Sequence, residues 1–252
     1  MMPVRSAVAF IIFNRPDLTD RVFSEIAKAR PAVLLVIADG PRNEEERAAC
    51  EATREIIDRV DWACDVRRHF SDVNLGCRKR VSSGLDWVFE QVEEAIILED
   101  DCLPHADFFQ FCDALLVHYR DDERIRHIGG TDYNLAAPRG EGSYYFSRYT
   151  SIWGWATWRR AWRDYDVAIA DWPGVKACDG HLSMFGTQAE AKHFEAVWDD
   201  IYSGVMDTWD AQWLFCCLQK GALSVAPNGN LISNVGCRDD ATHTVVGTHP
   251  FA

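Results

Sequence analysis

The chain has 252 residues, which is enough for one large domain, or at most two small ones, with a sizeable buried core. It carries 26 Lys and Arg against 39 Asp and Glu, a net charge of −13, which argues against nucleic acid or an anionic membrane surface as its main partner. Its nine cysteines are scattered without any C-x-x-C spacing, and its longest early apolar run is too short for a signal segment or a transmembrane segment, so we expect a cytoplasmic protein with reduced thiols.

Short apolar segments alternate with helical patterns along the first half of the chain. Buried strands are predicted at residues 7–13, 33–38 and 96–98, and a further strand is predicted at residues 64–70. Helices are predicted from Pro16 onward and at residues 43–60 and 78–92. The first strand, helix and second strand together form a βαβ unit. The repeated alternation predicts an α/β fold with a mostly parallel central sheet that helices cover on both faces.

The pattern is looser in the second half. Asp107 is predicted to cap a helix, residues 125–129 to form a strand, and residues 131–142 to form a loop. Further helices are predicted at residues 188–202 and 209–220, a strand at 223–226, and an ordered polar segment at 228–243. Because no Pro-, Gly- or Ser-rich linker separates these parts, we expect residues 1–252 to form a single domain.

Three consecutive carboxylates, Glu99, Asp100 and Asp101, follow the apolar run at residues 96–98. Like charges at the end of a buried strand repel each other, so a cation, hydrogen-bond donors or a polar ligand is expected to balance this acidic triplet. Side chains alternate across an extended strand, so Glu99 and Asp101 are expected on one face and Asp100 on the other. Hard divalent cations prefer such oxygen ligands and often keep waters that a phosphate can displace. The alternative is an acidic turn that only faces solvent.

Polar residues also follow the first two predicted strands, where Arg15 and Asp39 are found. In open α/β sheets, ligands bind beyond the carboxyl ends of the strands, near the switch in strand order, so these residues and the acidic triplet are expected to line one crevice. Arg15 could instead be a surface cation beside Pro16, and Asp39 a turn residue. Neither a G-x-G-x-x-G nor a G-x-x-x-x-G-K-[ST] motif is present, which argues against dinucleotide oxidoreductases and P-loop enzymes.

Seven short blocks follow one another along the chain: FIIFNRP (10–16), DGP (39–41), NLGC (74–77), ILEDDC (97–102), IWGW (152–155), DTWD (207–210) and DATH (240–243). Together they resemble a bacterial group of GT-A-fold glycosyltransferases that is often labelled hemolytic-protein-like. That group is similar in layout to N-acetylglucosaminyltransferase I. The resemblance extends over about residues 7–244 and therefore covers most of the chain.

The resemblance implies a nucleotide-sugar donor, with a UDP-sugar favoured, and a Mn²⁺ or Mg²⁺ ion held by the last residue of the triplet, Asp101. Glu99 and Asp100 would then lie against the sugar and the ribose. Arg15 matches a residue at the end of the first strand that contacts the nucleotide, and Asp39 matches an Asp that contacts the base. Residues of about 1–130 would form a nucleotide-binding half, and about 131–252 an acceptor and catalytic half.

Two further roles follow from the resemblance. A basic residue on the helix before the triplet faces the nucleotide, and Arg78 is the nearest match, although the spacing also permits Arg80. The catalytic base is a carboxylate at the start of a late helix in a Trp-Asp setting, which Asp210 matches. In an inverting transfer, such a carboxylate takes the proton of the acceptor hydroxyl as that oxygen attacks. Asp207 has a similar claim, and either residue could be an ordinary helix cap.

Four more residues are candidates for contacts with metal, phosphate or acceptor. His243 could be a second metal ligand or a phosphate contact in a tail that folds over the donor, because imidazole serves either role, but a loop histidine can also have neither role. Trp153 and Trp155 could stack an acceptor sugar, with Gly154 allowing close approach, or could be buried packing. Unlike the Golgi relatives, the chain is expected to lack a membrane anchor or stem, and residues 131–151 match the eukaryotic enzymes poorly.

We therefore predict a metal-dependent, inverting glycosyltransferase that moves a sugar from a nucleotide-diphosphate donor to a carbohydrate or other hydroxyl acceptor. One alternative is a sugar nucleotidyltransferase on a related sheet. Such enzymes usually carry a Gly-rich basic loop soon after the first strand, and residues 14–17 do not supply it. The other alternative is a catalytically silent domain that binds a nucleotide or a sugar.

Overall fold

The computed structural model describes residues 3–133 and 139–236, and eight strands of these residues form one sheet. The strands of that sheet are β1 (Ala7–Ile12), β2 (Val33–Ala38), β3 (Asp65–Phe70), β4 (Glu94–Glu99), β6 (Ile125–Gly129), β7 (Tyr144–Ser147), β8 (Trp155–Trp158) and β9 (Leu223–Pro227). A separate antiparallel pair consists of β5 (Cys102–Pro104) and β10 (Ile232–Asn234). The helices are α1 (Pro16–Ala29), α2 (Glu44–Glu55), α3 (Cys77–Gln91), α4 (Phe108–His118), α5 (Arg159–Trp162), α6 (Trp172–Ala177), α7 (Gln188–Tyr202) and α8 (Asp210–Gln219).

The strand order of the large sheet is β3-β2-β1-β4-β8-β6-β9-β7. The pairs β1–β2, β1–β4, β2–β3 and β6–β9 are parallel, whereas β8 runs antiparallel to β4 and β6, and β7 runs antiparallel to β9. The chain moves outward from β1 to β3 and then returns to place β4 on the other side of β1. The strand order therefore reverses between β1 and β4, which is where ligands bind in sheets of this kind.

Both faces of the sheet are apolar, and helices cover both. Val8 and Phe10 of β1 lie in a core that also holds side chains of α1 and α4, whereas Ala9 and Ile11 lie in a second core with side chains of α3 and α8. A third apolar cluster joins α6, α7 and α8. Strands that are buried on both faces have continuous apolar sequences, which is why the first strands could be predicted. The predicted α/β fold, with a mostly parallel sheet between helices, is confirmed.

Several predicted elements end at slightly different residues. The helix predicted at residues 43–60 is α-helical only to Glu55 and continues as a 3₁₀ turn over Ile56–Arg59, and Asn43 caps it by accepting a hydrogen bond from the Glu46 N–H at 3.1 Å. Asp107 does precede α4, but its side chain makes no capping hydrogen bond, so that detail of the prediction is wrong. None of the described helices is long and apolar enough to cross a bilayer.

Candidate functional site

A first cavity, of about 430 Å³, opens at the carboxyl ends of β1, β2 and β4, where the strand order reverses. Arg15, Asp39, Glu99 and Asp100 all line it, although they lie far apart in the sequence. Parallel strands end at the same edge of a sheet, so the turns that follow them converge there. The structure thus brings these four predicted residues into one crevice.

The acidic triplet does not continue β4 as an extended strand. The strand ends at Glu99, and Asp100 and Asp101 form the turn that leads into β5. The expected alternation of the triplet across two faces is therefore wrong: the Arg15 guanidinium donates a hydrogen bond to Asp100 and also lies 3.1 Å from Asp101 Oδ2. Asp100 is buried and Asp101 is partly exposed. Arg15 is thus the cation that balances the triplet.

Burial perturbs the acid–base properties of the triplet. It raises the pKa of Asp100 from 3.8 to about 6, against the opposing effect of the Arg15 charge. Burial also raises the pKa of Glu99 well above 4.5, and the carboxylates of Asp101 and Asp100 raise it further. Asp100 Oδ2 is buried without a hydrogen-bond partner, and the Glu99 carboxylate forms no hydrogen bond or salt bridge with another described residue. Buried polar atoms are normally paired, so these oxygens are available to donors of a ligand.

Asp39 fixes one wall of the first cavity. Its carboxylate accepts hydrogen bonds from the N–H groups of Gly40 at 2.9 Å, Leu75 at 2.9 Å and Gly76 at 3.1 Å, and from Asn74 Nδ2 at 3.1 Å. Burial raises the pKa of Asp39, whereas these backbone hydrogen bonds oppose the rise. The carboxylate therefore holds the loop at residues 74–76 in place beside the cavity.

Of the two basic candidates on α3, the structure places Arg80 on the cavity wall and not Arg78. Arg78 donates to the carbonyl oxygens of Val167 at 2.6 Å and Ile201 at 3.4 Å, outside the cavity. Arg80 is buried, lies 2.6 Å from His69 Nδ1, and has an Nε with no hydrogen-bond partner. The expected position of Arg78 in the crevice is therefore wrong, because carbonyls of the second half of the chain bind its guanidinium.

A second cavity, of about 610 Å³, adjoins the first, and the two share a wall formed by Arg15, Cys77 and Glu99. Cys77 is the first residue of α3. Burial raises the pKa of its thiol, and the nearby carboxylates of Glu99 and Asp210 raise it further. Asp101 also lines the second cavity. The two cavities therefore meet at the acidic triplet.

Asp210 lies on the second cavity as the first residue of α8, where Trp209 is in the N-cap position. Its Oδ1 accepts a hydrogen bond from the Thr208 hydroxyl. Asp207 lines the first cavity instead, close to Gly76, where an added Cβ would lie 3.3 Å from Asp207 Oδ2. The structure thus separates the two carboxylates that were candidates for the base.

Trp153 is partly exposed and lines the second cavity, where its ring centroid lies 6.0 Å from that of Tyr133. Trp155 is fully buried in β8, and its ring centroid lies 5.7 Å from that of Trp209. Because Trp155 is enclosed by other indoles, the expectation that it contacts an acceptor is wrong, and it is a core residue. Trp153 is the only one of the two indoles that a ligand in this cavity can reach.

Gly154 also serves packing. It has a φ of +60°, and an added Cβ would overlap the side chain of Ile232 on β10. Its carbonyl oxygen accepts a hydrogen bond from the Gly130 N–H at 2.7 Å. The close approach that this glycine allows is therefore the approach of β10 and not that of an acceptor, so the predicted acceptor contact of Gly154 is wrong.

β10 brings the end of the described chain next to Asp101. The Val235 N–H donates to the Asp101 carbonyl oxygen at 2.8 Å, and the Gly236 N–H donates to Asn234 Oδ1 at 2.8 Å. An added Cβ on Gly236 would overlap the Asp101 carboxylate, so only glycine allows this close approach. His243, the candidate metal ligand or phosphate contact, lies outside the described residues.

The fit of the site to a divalent ion can be judged from its oxygen atoms. Within residues 3–133 and 139–236, no group of three or more His, Cys, Asp or Glu side chains is arranged to hold a metal ion. However, Asp101 presents a partly exposed carboxylate, and Asp100 Oδ2 has no hydrogen-bond partner. Mg²⁺ and Mn²⁺ are commonly bound by one or two carboxylates, with substrate phosphates and waters as further ligands. The side chains therefore fit an ion that is shared with a phosphate, and do not fit one held by protein alone.

Some lining residues were not identified from the sequence. Tyr133 and His193 line the second cavity, and Arg42 lines the first. Tyr133 lies in a loop, His193 lies in α7 and Arg42 lies just before α2, and no local sequence pattern identifies any of them as a site residue. Asn74, which also lines the first cavity, did lie in one of the seven sequence blocks.

No protein-family model matches the chain, and no curated protein matches it in sequence. Among solved structures, 4-diphosphocytidyl-2C-methyl-D-erythritol synthase from Anaerococcus prevotii is similar over 87% of this chain and 87% of that chain, at 10% identity and a TM-score of 0.42. Mannose-1-phosphate geranyltransferase from Thermus thermophilus is similar over 88% of this chain and 73% of that chain, at 11% identity and a TM-score of 0.42.

A UDP-glucose pyrophosphorylase complexed with UDP-glucose is similar over 63% of this chain and 71% of that chain, at 10% identity and a TM-score of 0.32. At these identities no residue role can be transferred, so the chemistry of the site follows from its own side chains.

Proposed function

We propose that the chain is a GT-A-type glycosyltransferase that takes a sugar from a nucleoside-diphosphate donor, with a UDP-sugar favoured, and transfers it with inversion to a hydroxyl acceptor. The observation that supports this most is the division of the cleft into two cavities with a common wall. Arg15 and Glu99 form that wall, and Asp210 lies on the second cavity only. A donor whose nucleotide occupies the first cavity would present its sugar at the wall, with Asp210 beyond it.

The first cavity has the charges and hydrogen-bonding groups that a nucleotide requires. Arg42 and Arg80 line it together with Arg15, and guanidinium groups bind phosphate oxygens through several N–H donors. The loop that Asp39 holds, with the Asn74 amide, forms the wall beside which we place the base. Arg15 also binds Asp100 and Arg42 also binds Glu46, so the charge of a metal ion at Asp101 would add to the charges of these arginines.

We propose that Asp101 holds a Mn²⁺ or Mg²⁺ ion together with the phosphates of the donor. Such an ion, when bound, supplies positive charge that stabilises a departing diphosphate. Glu99 lies on the common wall with a carboxylate that no described residue pairs, and hydroxyl groups of the donor sugar are donors of the type it lacks. We assign Asp100, which accepts a hydrogen bond from Arg15, to a contact with the ribose.

Asp210 is the proposed general base. Its Oδ2 accepts the proton of the acceptor hydroxyl while that oxygen forms a bond to the anomeric carbon, and the bond from that carbon to the diphosphate oxygen breaks. The Thr208 hydroxyl, which donates to Oδ1, fixes the orientation of the carboxylate. Gln212 Nε2 donates in turn to the Thr208 carbonyl oxygen, so the first turn of α8 supports the base.

The test compares Asp210→Asn with Asp207→Asn. Donor binding is measured as thermal stabilisation by UDP, GDP, CDP, dTDP and their sugars, each with and without Mn²⁺. Turnover is measured as nucleotide release with p-nitrophenyl glycosides as acceptors. We expect Asp210→Asn to bind the donor normally and to lose turnover by about 10²-fold or more, as is typical when a general base is removed. Equal loss of binding and turnover would contradict the assignment of Asp210, and loss of turnover in Asp207→Asn alone would assign the base to Asp207.

Two other outcomes would contradict the proposed reaction. Release of pyrophosphate from a nucleoside triphosphate and a sugar 1-phosphate would show sugar nucleotidyl transfer instead. The loop between β1 and α1, residues 13–15, contains no glycine, which argues against that reaction. Donor binding without any turnover, unchanged in Asp210→Asn, would show a catalytically silent binding domain.

A further inference from the structure

A third cavity, of about 670 Å³, lies beside the second and is lined by residues that the proposed chemistry does not use. Tyr133 lines both the second and the third cavity. The other walls come from β7, the loop that follows it, the start of α7 and the end of β9. A ligand in the third cavity therefore lies next to the cavity that contains Asp210.

Aromatic side chains around the third cavity are exposed to an unusual degree. The exposed fraction is 47% for Tyr133, 49% for Phe146 and 40% for Tyr149. Large aromatic side chains are mostly buried in soluble proteins, and several exposed ones around one concave surface indicate a binding site. The flat, weakly polar faces of these rings suit the C–H faces of sugar rings, and the phenol oxygen of Tyr149, whose proton is donated to Glu190, can still accept a hydrogen bond from a hydroxyl group.

Two arginines give this cavity a positive wall. Arg139 and Arg148 both line it, and neither forms a salt bridge with a carboxylate of another described residue. The Arg139 guanidinium lies 4.7 Å from the centroid of the Tyr145 ring, which holds it at the cavity. The buried Asp132 accepts a hydrogen bond from the Tyr145 hydroxyl at 3.1 Å, but among the described residues that line the cavity the two guanidinium groups outnumber the one carboxylate.

Glu190 is the single carboxylate among the described residues that line the third cavity, and its oxygens are already bound. It accepts hydrogen bonds from the Thr187 N–H at 3.0 Å, the Thr187 hydroxyl at 2.9 Å and the Tyr149 hydroxyl at 2.9 Å. The bonds from Thr187 form part of the capping box at the start of α7. The positive end of the helix dipole offsets the charge of a carboxylate in this position, so Glu190 positions Tyr149 without cancelling the arginines.

We propose that the third cavity binds the acceptor and that this acceptor is an anionic saccharide. Its carboxylate or phosphate group pairs with Arg139 and Arg148, a sugar ring packs on Tyr149, and the reacting hydroxyl extends past Tyr133 toward Asp210. Arginine binds carboxylate and phosphate oxygens through paired N–H donors, so both sources of negative charge fit the same wall. This inference rests on the proposed function for the reaction, but the binding step can be measured without a donor.

The test measures binding of three probes to the full chain by saturation-transfer NMR and calorimetry. The probes are p-nitrophenyl β-D-glucuronide, glucose 6-phosphate and the neutral p-nitrophenyl β-D-glucoside. We expect at least one anionic probe to bind more tightly than the neutral glucoside. Binding of the glucuronide alone would assign a carboxylate, and binding of the phosphate alone would assign a phosphate ester. Equal binding of all three, or binding of none, would overturn the proposal.

Variants locate the binding. Arg148→Glu and Arg139→Glu are each expected to lower the affinity for the anionic probe by about tenfold or more, because each substitution removes a charge-assisted hydrogen-bonded pair. Arg5→Glu is the matched control, since Arg5 is exposed, precedes the amino end of β1 and does not line the third cavity. An effect of Arg5→Glu equal to that of both cavity variants would overturn the proposal. Anionic probes that bind while no nucleotide does would refute the proposed function alone, and nucleotides that bind while no anionic probe does would refute this inference alone.

Discussion

Replacing Arg15 with methionine removes the cation that balances the acidic triplet. Arg15 donates to Asp100 and lies 3.1 Å from Asp101 Oδ2. The exposed fraction is 20% for the Arg15 side chain and 3% for that of Asp100, so the pair is mostly buried. Methionine keeps a long, flexible side chain but has no charge. The variant therefore leaves a buried carboxylate without its partner, beside two others.

The expected loss of stability follows from this burial. Removing one partner of a buried ion pair destabilises a protein by about 3–5 kcal/mol. Arg15 retains some contact with solvent, so we expect the lower value, a decrease of about 3 kcal/mol in the free energy of unfolding at about pH 7.5. The pKa of Asp100 is about 6 even with Arg15 present, which shows that the folded chain already holds this carboxylate at a cost.

The decrease in the free energy of unfolding that Arg15→Met causes should become smaller as the pH falls. A carboxylate with a higher pKa in the folded than in the unfolded chain binds protons on folding, so its unfavourable contribution diminishes as the pH falls through the folded pKa. Removing Arg15 raises the pKa of Asp100 above about 6. Below that pH the carboxyl group is neutral in both proteins, and the difference in stability between Arg15→Met and the parent chain should shrink.

Urea unfolding at about pH 7.5 and about pH 5 measures both effects, since the free energy of unfolding is obtained by linear extrapolation. Arg42→Met is the matched control, because Arg42 lines the same cavity but pairs with Glu46 at the surface and is 57% exposed. The free energy of unfolding of Arg42→Met should be lower than that of the parent chain by less than about 1 kcal/mol. Our reasoning would be refuted if Arg15→Met were no less stable than Arg42→Met, or if its loss were equal at the two pH values.

Two further predictions concern residues that shape the site. Gly154→Ala should lower the free energy of unfolding in urea by about 3 kcal/mol, because its positive φ is strained for alanine and the new Cβ overlaps Ile232. Gly204 also has a positive φ, +79°, but a Cβ there would lie in open space, so Gly204→Ala should lower the free energy of unfolding by only about 1 kcal/mol. Equal losses would contradict the packing role of Gly154. Asp39→Asn should lose about 2 kcal/mol and weaken nucleotide binding, because three backbone N–H groups lose a charged acceptor. Asp58→Asn, at an exposed ion pair, should change stability by less than about 1 kcal/mol, and a similar change in both Asp variants would contradict the role of Asp39.

The crevice could be predicted from the sequence because two simple rules were sufficient. Buried parallel strands give continuous apolar runs, and the residues that follow them converge at one edge of the sheet. The strand at residues 33–38 and the helix at 188–202 were predicted with the observed bounds. Arg15, Asp39 and Glu99 could therefore be placed together without knowledge of any contact.

Other features depended on contacts that no local pattern shows. The apolar stripe of α3 permits either Arg78 or Arg80 to face the cavity, and the carbonyls of Val167 and Ile201 decide between them. The aromatic block around Trp155 has the same composition whether it faces solvent or a core. The three-residue strands β5 and β10 are too short to show a period, although β10 holds the chain beside Asp101.

The most direct test of the proposed donor site is a crystal structure of the chain grown with a UDP-sugar and Mn²⁺. We predict that the base lies in the first cavity beside the loop at residues 74–76, that the diphosphate lies near Arg15 and Asp101, and that the sugar faces Asp210. A donor bound elsewhere, or a first cavity that remains empty at a donor concentration that stabilises the protein, would contradict the central claim.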